Sequence, residues 1–292
     1  MSVQSQDTTK AVARVKTEDF LPSFNMIYQM HKNMNMRFAY STTLARPTFR
    51  EISTFTSYDF NGGDTYIGNP DLKRTLINNF DLRWEWFFNP GEIVALSLFS
   101  KRFKNPIEVV ITDAVNKEVS WENADRADVM GLEFELRKKL SMFSNSLKDF
   151  TLGGNISLIS SQVDIVKDTT VVYETDKKST RSFQGQSPYI LNLFVNYANY
   201  KHGISSALYY NVFGKRLAAV GSLGVPDVYE EPFHLVNFNI SKQLFDNWKV
   251  KLAANNLLNW NVKKTQEYKN RSYTYSQYNR GISFTVGISY TL

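Results

Sequence analysis

Hydrophobicity alternates along this chain with a period of two, over strand-length segments that recur from about residue 20 to the end. From Phe80 the chain reads FDLRWEW, setting Phe80, Leu82, Trp84 and Trp86 against Asp81, Arg83 and Glu85. MNMRFAYS from Met34 opposes Met34, Met36, Phe38 and Tyr40 to Asn35, Arg37, Ala39 and Ser41. GLEFELR from Gly131 does the same with Leu132, Phe134 and Leu136 against Glu133, Glu135 and Arg137. In the final GISFTVGISYTL, Ile282, Phe284, Val286, Ile288, Tyr290 and Leu292 share one face. No helical period competes, so the chain is all-β. Further strands are expected at Phe20–Met30, Ile93–Phe103, Phe150–Val163, Tyr189–Tyr197, Ile204–Val212, Leu235–Ser241 and Trp248–Ala254, about eleven in all.

The connections alternate in length. Short turns are expected at His31–Asn33, Asn89–Gly91, Ser144–Asp149, Asn199–Gly203 and Phe245–Asn247. Long polar links fall between them, at Arg46–Asp71, Asn105–Val129, Asp164–Ser187, Phe213–Pro232 and Asn259–Arg280. Short connections on one side and long ones on the other describe an antiparallel transmembrane β-barrel, with periplasmic turns, extracellular loops and lipid against its outer face. Composition agrees: mean hydropathy is only −0.34, yet 14% of residues are aromatic. In a barrel the polar lumen face offsets the apolar lipid face, so the average conceals the latter. Tyr40, Trp84, Trp86, Tyr197, Trp248 and Tyr290 lie near strand ends, where interfacial girdles sit. A soluble carbohydrate-binding β-sandwich also alternates, but its strands are typically shorter and its loops have no reason to sort by length.

Chemistry-bearing patterns are sparse. The absence of cysteine excludes disulfides, thiolate metal sites and a Cys nucleophile. The net charge of +6 is spread along the chain, which gives no nucleic-acid surface. Glu133 and Glu135 form a carboxylate pair of the kind used in glycosidases. On a lumen face they are expected to join Arg137, Arg83 and Asp81 in ladders of charge. His31, His202 and His234 are far apart, two of them beside short turns, so no metal site and no Ser-His-acid constellation of a barrel protease or lipase is expected. Asn61–Asp64 reads as a plain turn rather than a calcium loop. The aromatic segments Phe55–Tyr66 and Tyr268–Tyr278 are candidates for stacking on a sugar or an aromatic chelate. No catalytic, cofactor or metal residues are assigned.

Several pieces, taken in order, resemble the second half of the barrel of TonB-dependent outer-membrane receptors, particularly those of Bacteroidetes-type bacteria. They include DFLPSFN at Asp19–Asn25, MRFAYSTTLARPTFREIS at Met36–Ser53 and IGNPDLKRTLINNFDLRWEWF at Ile67–Phe87. LFSKRFKNPIE at Leu98–Glu108, ENADRADVMGLEFELRKKL at Glu122–Leu140 and QGQSPYILNLFVNY at Gln184–Tyr197 follow. YYNVFGKRLA at Tyr209–Ala218 and AANNLLN at Ala253–Asn259 come before the terminal strand. The resemblance implies a 22-stranded barrel with an amino-terminal plug. It also implies uptake of a siderophore, cobalamin, glycan or peptide, driven through the TonB complex. On this reading residues 1–18 are a remnant of an extracellular loop, and residues 19–292 are the carboxy-terminal part of the barrel. The chain is then a fragment, unable to transport alone and lacking the first barrel half and the plug. Three local expectations go with it. Pro47 ends a strand and frees Arg46 and Arg50 for loop carboxylates, Gly68–Asn69–Pro70 form a turn, and Gly131 marks a bulge or a bend where the sheet curves.

Overall fold

A computed structural model describes residues 17–58, 63–113, 118–164, 180–222, 225–245 and 247–291. Eleven long strands form one meandering antiparallel sheet. They are β1 (Ser23–His31), β2 (Met34–Ala45), β3 (Thr75–Phe87), β4 (Ile93–Lys104), β5 (Arg126–Lys139) and β6 (Phe150–Asp164). β7 (Tyr189–Asn199), β8 (Ile204–Phe213), β9 (Phe233–Leu244), β10 (Trp248–Asn255) and β11 (Ser283–Tyr290) complete it. Every strand expected from the alternation is present. β3 and β5 begin earlier than the alternation shows, at Thr75 and Arg126, and β6 reaches 15 residues. These strands outrun the ~9–11 residues that cross a bilayer and therefore project beyond it.

Register fixes the two faces. Phe38, Leu82, Leu98, Leu132, Leu158 and Tyr189 are successive cross-strand partners from β2 to β7. This outward row is apolar and largely exposed, with Leu98 at 50% and Leu158 at 51%, as lipid contact requires. Aromatics gather at the periplasmic ends of the strands. Trp248 packs on Tyr290 with ring centroids 5.0 Å apart, Phe150 on Tyr197 at 4.9 Å, and Trp86 on Phe88 at 4.1 Å.

The turn Asn89–Glu92 is tied to the neighbouring hairpin through Glu92, which is buried. Its carboxylate accepts from Lys138 Nζ at 2.8 Å, Asn89 Nδ2 at 2.7 Å and the Lys139 N–H at 3.0 Å. The Lys138 hydrogen bond foremost, against the opposing effect of burial, brings this carboxyl from its ordinary 4.5 to about 2. A depressed folded-state pKa contributes stability that is present above the ordinary value and fades as pH falls toward the folded one. The fraction of heat-resistant folded protein should therefore drop between about pH 5 and pH 2. Glu92→Gln should remove that part of the acid sensitivity.

Gly131 corrects one expectation. β5 pairs with β4 and β6 in unbroken register around it, so there is no bulge. A Cβ at this position would lie 2.4 Å from the Phe99 ring, which covers the glycine from the lumen side.

The long polar links hold further strands of their own. Between β4 and β5 the chain forms a hairpin, Ile107–Asp113 with Glu118–Asn123. Between β10 and β11 it forms another, Asn261–Tyr268 with Arg271–Asn279. Strands Ser57–Tyr58 and Thr65–Tyr66 join the first hairpin, and Arg216–Ala219 and Val228–Glu230 join the second. Val110, Ile111, Val119, Trp121, Leu217, Val228 and Val262 are buried, so much of the packed core lies in this extracellular cap.

Candidate functional site

Two surfaces can meet a solute, the lumen wall and the cap above it. On the wall, Glu85 lies between two guanidinium groups, accepting from Arg37 Nε at 2.7 Å and Arg83 Nε at 2.9 Å. Arg83 also reaches Ser97 Oγ at 2.9 Å and Glu135 at 2.6 Å. Glu133 accepts from Asn155 Nδ2 at 3.0 Å, Asn155 from Asn192 at 2.7 Å, and Asn192 from Asn211 at 2.5 Å. The carboxylate pair of the sequence is thus divided between two polar ladders that together run from β2 to β8. Arg137 stands 4.0 Å from Glu135. Asp81, expected in the ladder, has no ion pair among the described residues.

The cap is built around a buried charge. Glu108 is 2% exposed, and its two oxygens accept from Arg181 Nη1 at 2.8 Å and Nη2 at 2.5 Å. The Gln184 N–H adds a bond at 3.2 Å. The Gln184 amide then behaves like an inserted piece of strand. Its oxygen accepts from Val109 N at 2.7 Å, and its nitrogen donates to Val109 O at 3.2 Å and Ala218 O at 2.6 Å. Val220 pairs in parallel with Val110 beside it. Three loops therefore meet at one pair of side chains. Both lie in pieces that carry the family resemblance, NPIE and QGQSPY, but nothing local in the sequence announces a partner some seventy residues away.

The loop between β2 and β3 docks on the same cap. Thr48 and Glu51 form a capping box on the short helix Phe49–Ile52. The expected turn is present at Pro70–Asp71. Gly68 permits its close approach, since a Cβ there would stand 2.1 Å from Ser53 O. Asn69 Nδ2 donates to Trp121 O at 3.0 Å. Among the described residues Arg50 meets no carboxylate, and its guanidinium lies 4.5 Å over the Tyr66 ring.

Of the two aromatic segments, residues 59–62 lie outside the described residues, and with them Asn61 and Gly62 of the expected turn. The rest come together. Tyr275 occupies a bulge opposite Lys264 and Thr265, which turns its hydroxyl onto the Asp64 carboxylate, 211 residues away. Burial, then the hydrogen bond to Asp64 and its charge, push the phenol above its ordinary range. Tyr268, Arg271 and Tyr273 share one exposed face of the hairpin, whose strands and turn carry Lys263, Lys264, Lys269 and Arg271 against the single carboxylate Glu267. Lys215 bridges Glu267 at 2.5 Å and Glu231 at 3.2 Å. Burial works to lower its pKa, and the two carboxylates outweigh that and raise it.

The histidines do not converge. His31 ends β1, and His202 sits in the β7–β8 turn with its N–H on Asn199 Oδ1 at 3.0 Å. His234 bonds Tyr210 at 2.8 Å and packs against Trp260 at 4.5 Å. Among the described residues no three His, Asp or Glu side chains are grouped to hold a metal.

This sheet, with lipid outside, charged ladders inside and five loops folded into a cap, defines the wall of a large outer-membrane barrel. The sequence matches the family described as TonB dependent receptor-like, beta-barrel, over residues 2–257, and the chain belongs to that family. Its place is the outer membrane. Among solved structures it resembles the ferric enterobactin receptor PfeA of Pseudomonas aeruginosa at 16% identity and a TM-score of 0.59, over 94% of this chain and 41% of that one. The siderophore receptor PirA of Acinetobacter baumannii gives 16% and 0.59, over 93% and 41%. The ferric-catecholate import receptor Fiu of E. coli K12 gives 15% and 0.58, over 92% and 34%. The chain spans about two fifths or less of the length of these receptors. No curated protein matches the sequence.

Proposed function

We propose that residues 19–292 are the carboxy-terminal part of the barrel of a TonB-dependent importer, that residues 1–18 belong to an extracellular loop, and that the cap recognises a ferric siderophore. The sheet supports the first point. Among the described residues β1 and β11 end the strand order, each with one unpaired edge, and hydrocarbon does not tolerate such edges. Both strands run toward the periplasmic side. Antiparallel closure therefore needs a segment whose first and last strands run outward, an odd number of strands. A second copy of this chain would meet parallel seams at both edges. Further strands of the same receptor satisfy the rule, and energy from TonB enters through its plug-bearing part.

The observation that carries the ligand reading is the cationic, tyrosine-bearing hairpin of the cap. An anionic aromatic chelate gains from stacking and from charge at once, whereas a neutral glycan uses the rings alone. The solved neighbours named for siderophores fit this reading. In the full-length receptor, Arg271→Gln with Tyr273→Ala is expected to weaken binding of a ferric tris-catecholate about tenfold or more. Unchanged chelate binding, with loss of binding to a neutral oligosaccharide, would overturn the assignment and leave the barrel reading intact.

A further inference from the structure

The outward face of the sheet carries an open trough of about 630 Å³. Its floor lies in one cross-strand row, Phe80–Ser100–Met130–Ser160, where two serines stand beside bulky neighbours. Leu82, Leu98 and Leu158 line it from the row below. Ser100, Met130 and Ser160 are each four residues from the extracellular end of their strand. At ~3.3 Å per residue along a tilted strand, the trough lies in the outer-leaflet half of the bilayer.

The next row toward the cell exterior is polar throughout, Thr42–Asn78–Arg102–Asp128–Gln162. Lys104, Arg126 and Asp164 follow on the row above. Arg102 Nε meets Asp128 Oδ1 at 3.0 Å, and Arg126 holds the other oxygen at 2.7 Å. This arrangement fixes both guanidinium groups, and the Nη groups of Arg102 remain without a partner among the described residues. Three cations face two carboxylates here. The outward positions in the extracellular halves of the remaining described sheet strands hold no Lys, Arg, Asp or Glu, so the row of charged side chains lies directly above the trough.

We propose that this is a binding site for one anionic lipid of the outer leaflet, its acyl chains in the trough and its phosphate on Arg102, Arg126 and Lys104. A soluble phosphate would leave the trough unused, and a zwitterionic lipid would gain nothing from the net positive row. Separation by two residues along each strand, ~7 Å, places a phosphate and the first methylenes of its chains at matching heights.

The test is native mass spectrometry of the full-length receptor in mild detergent, titrated with dimyristoyl phosphatidic acid or dimyristoyl phosphatidylcholine. The acid is expected to bind at least tenfold more tightly. Arg102→Gln with Arg126→Gln should reduce that preference below twofold, and Ser160→Trp should weaken both lipids by filling the trough. Heat-modifiable migration of each variant reports that the barrel is folded. Equal binding of the two lipids, a preference that survives loss of both arginines, or inorganic phosphate competing as well as the lipid would each overturn the proposal.

Discussion

Replacing Glu108 with alanine is expected to open the extracellular cap while leaving the barrel wall folded. The side chain is 2% exposed and receives both Nη groups of Arg181 and the Gln184 N–H. Removing it strands a guanidinium in a buried place, and breaking such a pair costs about 3–5 kcal/mol. The loss falls on loop docking, because Arg181 and Gln184 join three loops there and neither side chain touches the membrane rows. Limited proteolysis on intact cells should cut the loops of the variant much faster than those of the parent protein. The heat-modifiable band should persist. Glu108→Gln, which keeps an acceptor, should lie between the two. If loop cleavage is unchanged in Glu108→Ala, the pair does not hold the cap together.

The membrane-spanning part of this fold was legible in the sequence, and the cap was not. Alternation is a local property, since each residue of FDLRWEW declares its face by its own character, and register follows once one face must be apolar. The short and long connections added the direction of the strands. What failed were statements about partners. Gly131 was expected to mark a bulge or bend; the register carries no bulge there, and an aromatic ring on the adjacent strand occupies the space a side chain would take. Arg50 was expected to meet a loop carboxylate, and among the described residues it lies over Tyr66. Glu108 and Gln184 attracted no notice as a pair, although 76 residues of sequence separate two groups in direct hydrogen bond. Loop strands as short as Val228–Glu230 carry too few residues to show a period. They form only because neighbouring loops supply partners for their backbone.

Glu85 gives the second large effect, and its lesson is different because the site is on the wall. Glu85→Leu is expected to destabilise the barrel by about 1–3 kcal/mol, since Arg37 and Arg83 both lose the carboxylate that lies between them, while solvent reaching Arg37 limits the cost. The denaturant midpoint of the folded protein in lipid vesicles should fall accordingly. The whole ladder is another matter. Replacing Arg37, Glu85 and Arg83 together by methionine or leucine removes the stranded charges along with the pair, and such exchanges are often neutral or stabilising. The triple variant should therefore recover most of the lost stability. It should not recover function if the chain lines an importer's lumen as proposed, because Glu135 would lose its Arg83 partner at 2.6 Å and a polar inner surface would become apolar. Stability restored with transport still absent would assign the ladder to the passage. Both restored would reduce it to a means of covering the polar side of a sheet.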